Sequence, residues 1–155
     1  DKVFSTDIDD KIFTFVPYVP VGRFEECLND SGYDWKNSSC IFAHQEFLGC
    51  KMGAVVSTEG DIWGVDYPNI VSGHIHSKQQ PQDNIFYPGS SLQIAFGESE
   101  KNIIACLTFN DNNLGGISVV CVRDGTGVHF GPDVLRDLFE HLERIVETST
   151  RPRSR

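Results

Sequence analysis

The sequence predicts an α/β domain that is rich in β-sheet and is followed by an amphipathic helix. Short runs of β-branched and aromatic residues alternate with glycine, proline and asparagine turns, which is the pattern of strands and their connections. One late segment instead repeats its apolar residues at helical spacing. A chain of 155 residues with an ordinary globular composition fits one domain, or most of one.

The predicted strands are short and are separated by turns. Residues 11–20 begin as a strand, which Pro17 and Pro20 convert into a loop, and residues 23–28 form a short helix. Turn residues between 110 and 116 indicate a hairpin. The other predicted strands are apolar runs at residues 38–43, 68–73, 84–89, 102–109 and 117–122.

The late helix starts at the signal Gly131-Pro132-Asp133. Its other face carries charges of both signs, so we expect the apolar face to pack on protein rather than on a membrane. Residues 1–125 are then the domain proper, 126–147 a helical segment, and 148–155 a disordered tail without core-forming residues. The apolar positions of the helix are Val134, Leu135, Leu138, Phe139, Leu142, Ile145 and Val146.

Composition limits the cellular setting and the partners. The net charge of -9 argues against a surface that binds nucleic acid by broad phosphate neutralisation, although bound divalent cations would allow a local phosphate site. No leader peptide or long apolar run is visible, so we expect no membrane partner. The cysteines form no CxxC pair, which favours reduced thiols and a cytoplasmic, intracellular protein. They are Cys27, Cys40, Cys50, Cys106 and Cys121.

Three histidines follow predicted strands. His44 comes after one apolar run, and Gly73-His74-Ile75-His76 comes after another. Residues at strand ends gather at one edge of a sheet, where sites form, and neutral imidazoles are ligands for Mn, Fe or Zn. The alternative for each histidine is an ordinary loop or core residue. The sequence therefore predicts a metal site formed by His44, His74 and His76.

Several segments together resemble a known family. The chain is similar, over roughly residues 12–109, to the second half of a calcineurin-like metallophosphoesterase, and most similar to the SbcD-type DNA-repair nucleases with their phage and viral relatives. The best single motif is GHxH at a strand end. The segments are Phe42-Ala43-His44, Val71-Ser72-Gly73-His74-Ile75-His76, Phe86-Tyr87-Pro88-Gly89-Ser90-Ser91, Phe96-Gly97-Glu98 and Lys101.

The resemblance implies a fold, a site and a reaction. The fold is a four-layered α/β/β/α sandwich, of which residues 1–125 would be the C-terminal half. His44 and His74 would bind one divalent metal ion and His76 a second, and the ions would be Mn, Fe or Zn. Backbone carbonyls or the nearby Asp66 would support these ligands from behind. The complete enzyme would be a metal-dependent phosphodiesterase or nuclease, with a phosphodiester such as DNA as its substrate.

The family's acidic motifs have no counterpart in this sequence. The DxH, GDxxD and GNHD/E motifs that precede the histidines are absent, and we interpret the acids at 7–10 and Asp61 as solvated loop residues. This chain alone is therefore expected to bind at most one ion. The complete site would require an N-terminal half from the same gene or from a split partner.

Three other interpretations remain open. A non-catalytic interaction module of the same fold would use the helix at 134–146 to dock a partner. A thiol enzyme would use Cys50 as its nucleophile, and a structural zinc site would pair Cys40 with His44. If the chain belongs to a phosphoesterase, the polar residues beside His44 would line the substrate path. They are Gln45, Glu46 and Lys51.

Overall fold

The fold is known from a computed structural model that describes residues 2–90, 103–110 and 113–121. These residues belong to one compact unit, Asp1–Cys121, and a second unit, Val122–Arg155, lies outside them. The predicted helical segment 126–147 and the predicted tail 148–155 are therefore outside the described residues, as are Phe96-Gly97-Glu98 and Lys101 of the resemblance.

A mixed six-stranded sheet forms the centre of the unit. In order across the sheet, its strands are β1 (Phe4–Ile8), β2 (Lys11–Phe15), β3 (Cys40–Ala43), β6 (Ile70–Ser72), β8 (Ile85–Tyr87) and β7 (Gln79–Gln82). Its four middle strands are parallel, and the two outer strands run antiparallel to their neighbours. The carboxyl ends of the parallel strands therefore meet at one edge.

The connections add smaller elements. Helix α1 (Phe24–Asp30) and a short 3₁₀ helix (Trp35–Asn37) lie between β2 and β3. Between β3 and β6 the strands β4 (Lys51–Met52) and β5 (Val55–Val56) form a small hairpin, and β9 (Ile103–Asn110) pairs antiparallel with β10 (Asn113–Cys121) after the large sheet. No helix among the residues with described structure is long and apolar enough to cross a membrane.

Successive residues of the middle strands point to opposite faces of the sheet, as the two-residue repeat of a strand requires. On one face, the side chains of Ile41, Ile70 and Ile85 pack under α1. Phe24 and Leu28 of that helix are fully buried there, which explains why this seven-residue helix is stable in the fold. We call this the helix face.

The β9–β10 hairpin covers part of the opposite face. Phe13, Val71 and Phe86 from the sheet pack against Leu107 and Phe109 of the hairpin. The rings of Phe13 and Phe109 meet edge to face, with 4.9 Å between their centroids. The described residues therefore form three layers, a helix layer, a six-stranded sheet and a hairpin, and we call this second surface the hairpin face.

The structure confirms the α/β fold class and the predicted elements that fall within the described residues. The strand that ends before Pro17, the helix near residues 23–28 and the hairpin of the last two strands are present. The sequence did not indicate the outer strands β1 and β7. Both lie at edges of the sheet, and their sequences FSTDI and QQPQ are mostly polar, because an edge strand need not bury a continuous apolar face.

Candidate metal site at the strand ends

His44 and His74 lie side by side at the carboxyl edge of the sheet. The register of β3 and β6 pairs Ala43 with Ser72, so the residues that follow leave the sheet at the same level. The amide of Gly73 then donates to the carbonyl of Ala43 at 2.9 Å. The two imidazole rings stand edge to face, with 5.4 Å between their centroids. The structure thus brings together two of the three predicted ligands.

Gly73 is required for this close approach. A Cβ atom built on Gly73 would lie 2.6 Å from Nδ1 of His44, which is closer than real Cβ contacts allow. Any other residue at this position would push the His44 ring aside, whereas glycine lets it lie against the backbone of the next strand. The glycine of the GHxH motif therefore makes room for a histidine of a different strand.

His74 has a strained backbone. Its φ angle is 74°, and the amide of Ile75 donates to the carbonyl of Gly73 at 2.9 Å, which makes His74 the centre of a γ-turn with positive φ. Such turns are rare for residues other than glycine and cost about 1–3 kcal/mol. Buried Ile75 anchors the turn in the core, and the ring of Tyr18 stacks on that of His74 at 6.0 Å. Strain held in place by its surroundings is typical of functional sites.

His76 is exposed, and its backbone is held by the strand end that carries the Tyr87-Pro88-Gly89-Ser90 segment. The amide of Ser90 donates to the carbonyl of His76 at 3.0 Å. A Cβ atom on Gly89, which has a φ of 81°, would lie 2.7 Å from that carbonyl oxygen. The YPGS segment therefore fixes the loop that presents the third histidine.

A buried polar network lies directly beneath His44. Gln45 and Ser72 are fully buried, and the Ser72 hydroxyl lies 2.9 Å from both the amide and the carbonyl of Gln45. The Tyr87 hydroxyl donates to the same carbonyl at 2.9 Å and accepts from the amide of Phe47 at 2.9 Å. Burial raises the pKa of the Tyr87 phenol well above its ordinary range. These bonds fix the direction in which the chain leaves β3, and so the position of His44.

Asp61 completes the network and is not the solvated loop acid that we expected. It is buried, and its Oδ2 accepts from Nε2 of Gln45 at 2.7 Å. Its Oδ1 accepts from the amides of Gly22 and Phe24, both at 3.0 Å, at the start of α1. Gly60-Asp61 gave no sign of this role, because the partners of Asp61 lie 16 to 39 residues away along the chain.

The polar residues beside His44 do not share one role. Gln45 was expected to line a substrate path, but its full burial excludes contact with a substrate. Glu46 accepts a hydrogen bond from the hydroxyl of Ser57, and Lys51 is exposed in the β4–β5 hairpin.

Asp66 was expected behind the metal ligands, but it is exposed and lines a groove at the amino ends of the strands, with Asp10, Ser39 and Asn69 among its neighbours. Asp66 is therefore at the wrong edge of the sheet.

The donor set fits part of a metal site. His44 is exposed and His74 half-buried, so both imidazoles are accessible to an ion from the open edge. Across residues 2–90, 103–110 and 113–121, no group of three or more histidine, cysteine, aspartate or glutamate side chains is arranged to hold one. Two converging imidazoles are suitable ligands for a transition metal, and the remaining ligands of a closed site would have to come from elsewhere.

The structure contradicts the two cysteine hypotheses. Cys50 is fully buried, and desolvation raises the pKa of its thiol, the opposite of what a nucleophile needs. Cys40 begins β3 and is separated from His44 by the length of the strand, so the two cannot share a zinc ion. Burial raises the pKa of the Cys40 thiol to about 12. Within the described part of the chain, Cys27, Cys40 and Cys50 are free thiols, as expected.

Comparison with known proteins adds viral relatives. No protein-family model matches the chain. A protein of Invertebrate iridescent virus 6 named "Putative phosphoesterase 244L" is 60% identical over 115 residues, which cover 72% of this chain and 41% of that protein. One of Invertebrate iridescent virus 3 named "Putative phosphoesterase 078R" is 51% identical over 109 residues, which cover 69% of this chain and 31% of that protein.

These identities show common descent with viral proteins that carry a phosphoesterase name. They confirm that the chain has viral relatives, as the resemblance predicted, and they agree with the phosphoesterase class that it implied. The chain spans less than half the length of either relative, with 41% and 31% covered. More than half of each relative therefore lies outside the match.

Proposed function

We propose that this chain supplies the histidine half of a two-metal phosphoesterase site of the calcineurin-like type, closest to the SbcD-type nucleases. The observation that carries the proposal is the strained turn at His74, which holds its ring 5.4 Å from that of His44 at the carboxyl edge of the sheet. A loop histidine without a role would gain nothing from this strain. The names of the viral relatives support the same reaction class.

Each residue of the edge has a defined task in this proposal. His44 and His74 would hold one divalent ion and His76 the second, with Mn, Fe or Zn as candidates. When bound, such a metal pair supplies Lewis-acid stabilisation of the charge that develops at phosphorus. Gly73 leaves room for the His44 ring, and Gln45 sets the direction of the chain behind it. The substrate would be a phosphodiester, with DNA as one candidate.

The acidic ligands would come from outside the described residues. No carboxylate there joins the histidines in a metal-binding group. The relatives carry more than half of their length outside the match, which is enough sequence for the acidic motifs of the family. We therefore propose that the complete enzyme, and not this chain alone, hydrolyses the substrate.

The missing carboxylates are also the observation that favours the second candidate, a non-catalytic module that keeps the fold. This candidate predicts that the histidines bind no ion, and it makes the strain at His74 unnecessary. Metal binding by the histidines therefore separates the two functions before any substrate is known.

The test is the metal content of the purified chain, measured by elemental analysis after loading with Mn or Zn and removal of the excess. We expect about one ion per chain, lost in both His44→Ala and His74→Ala. The matched control is His141→Ala, which removes a histidine that is not in the proposed site. Equal metal content in all variants, or none in the parent chain, would contradict the proposal and favour the non-catalytic module.

A further inference from the structure

Tyr18 lies against one of the candidate metal ligands although it follows a different strand. Its ring stacks on that of His74, with 6.0 Å between the centroids and an interplanar angle of 26°. Stacking at this separation is a favoured arrangement of two aromatic rings. Tyr18 is nevertheless 56% exposed, so its ring is not held there by burial in the core. The contact with His74 therefore needs another explanation.

The segment that carries Tyr18 crosses the end of β3. Tyr18 follows β2, whereas its stacking partner follows β6, and β3 lies between these two strands in the sheet. The amide of Val16 donates to the carbonyl of Phe42 in β3 at 2.8 Å. The amide of Val19 donates to Oε1 of Gln45, just after β3, at 3.2 Å. Two hydrogen bonds, one on each side of Tyr18, therefore fix the crossing.

The backbone around Tyr18 has little freedom. Pro17 and Pro20 have φ angles that are fixed by their rings, and Val16 and Val19, which precede them, are biased towards extended conformations. A segment that is already stiff in the unfolded chain loses little conformational entropy when it presents a side chain. The two prolines that end the strand therefore also provide a rigid support for the Tyr18 ring.

The backbone of His74 does not by itself fix the orientation of its imidazole. The γ-turn sets the position of the Cβ atom, but the side chain still has two rotatable bonds. A stacked ring restricts rotation about both, because rotation would separate the two planes or force them to collide. A histidine binds a metal ion through a nitrogen in the plane of its ring, and a partner on the ring face leaves both nitrogens free. Tyr18 can therefore hold the ring without competing for its nitrogens.

We propose that Tyr18 is a positioning residue of the candidate metal site, which holds the His74 imidazole in the orientation that meets the ring of His44. The inference rests on the proposed function, because it takes His74 to be a metal ligand. Tyr18 itself contributes no ligand and acts only through His74. Residues that orient a ligand in this way strengthen metal binding, because less of the binding energy is spent on ordering the ligand.

The test compares Tyr18→Leu with Tyr18→Phe in the full chain. Leucine keeps an apolar side chain but removes the flat ring, whereas phenylalanine keeps the ring and removes only the hydroxyl. We expect zinc affinity, measured by calorimetric titration, to fall about fivefold in Tyr18→Leu and to return to the parent value in Tyr18→Phe. The matched control is Tyr33→Leu, which changes another exposed tyrosine, beyond the end of α1, and should leave zinc affinity unchanged.

A second measurement follows the His74 ring in the absence of zinc. NMR relaxation of the carbon atoms of the imidazole reports how well the ring is ordered. We expect an ordered ring in the parent chain and in Tyr18→Phe, and a more mobile ring in Tyr18→Leu. Urea denaturation of the three variants checks that all are folded, and their midpoints should agree with that of the parent chain because both tyrosines are exposed.

Three results would overturn the inference. One is unchanged zinc affinity in Tyr18→Leu, and another is a His74 ring that stays equally ordered in that variant. The third is an equal loss of affinity in Tyr18→Phe, which would assign the effect to the hydroxyl rather than to the stacked ring. In each of these cases the parent chain binds zinc, so the proposed metal site stands. A parent chain that binds no zinc overturns the proposed function, and this inference with it.

Discussion

The two faces of the central sheet differ in how completely they are covered. On the helix face, Phe24, Phe47 and Trp63 are at most 4% exposed, and Phe24 packs edge to face against both of the others. On the hairpin face, Phe13 of β2 is buried, but Phe15 of the same strand and Phe4 of the neighbouring strand β1 are exposed. The helix face is therefore a closed core, whereas the hairpin face leaves large apolar rings exposed at Phe4 and Phe15.

This contrast explains the candidate site. The histidines stand at the edge where the two faces meet, and they are fixed from the helix face by the network of Gln45, Asp61 and Tyr87. On the hairpin side, the same edge is open beside His44. In the proposed site, one side is therefore preorganised, and the other side would need groups from outside the described residues.

The largest effect should come from an aromatic residue of the helix face. Phe47→Ala should lower the free energy of unfolding by about 3–5 kcal/mol, because a fully buried ring leaves a cavity in the core. Phe15→Ala on the hairpin face should cost only about 1 kcal/mol, because its ring is partly in water already. Urea denaturation of both variants measures the difference. Equal losses would mean that the two faces are equally complete.

Loss of the Asp61 carboxylate should be next in size. Asp61→Ala leaves the amides of Gly22 and Phe24 and the side chain of Gln45 without their acceptor, at a cost of about 3 kcal/mol. The exposed acid Asp66 is the control, and Asp66→Ala should change the unfolding free energy by less than about 0.5 kcal/mol. If the two variants are equally stable, the network does not hold the strand ends in place.

The buried thiol of Cys40 should make stability fall at alkaline pH. Its pKa is raised from 9.0 to about 12, so the folded state keeps its proton while the unfolded state loses it. The resulting stabilisation is complete below pH 9, and about 2 kcal/mol of it is lost by about pH 10.5. Between these two pH values, the free energy of unfolding should therefore fall less in Cys40→Ala than in the parent chain. The half-buried Cys27 provides the control, and a Cys27→Ala variant with the same flattened profile would contradict this assignment.

The smallest change should act on the site alone. In Gly73→Ala the new Cβ displaces the exposed His44 ring, which can rotate away, so stability should change by less than about 1 kcal/mol. Zinc affinity, followed by calorimetric titration, should fall about tenfold. Gly116→Ala is the control, because a Cβ there meets nothing within 4 Å. Unchanged zinc affinity in Gly73→Ala would show that the approach of His44 to β6 is not needed for binding.

The sequence predicted the parts of the fold that depend on local pattern. The apolar runs that became β6 and β8 are fully buried, and that of β3 is buried or half-buried. Strands that are covered on both faces carry a continuous apolar signal. The same runs predicted that His44 and His74 would lie at a common edge. Edge strands such as β1 were missed because their polar sequences have no such signal.

Long-range polar contacts were not predictable from spacing. Asp61 and Gln45 look like ordinary loop residues in the sequence, and their roles arise only when α1, β3 and the loop before β6 are brought together. Asp66 was predicted to lie behind the metal ligands because it is close to His74 along the chain. In the structure it lies at the other end of β6. The direction of the chain through β6, which places residues before and after the strand at opposite edges, decides such assignments.

The most direct test of the central claim is an NMR titration of the imidazole nitrogens with zinc. The account predicts that the side-chain nitrogen signals of His44 and His74 shift together at the same zinc concentration, and that both responses vanish in either single alanine variant. His141 provides an internal reference that should not respond. If His44 and His74 respond independently, or if neither responds while His141 does, these two residues are not ligands of a common ion and the proposed site is wrong.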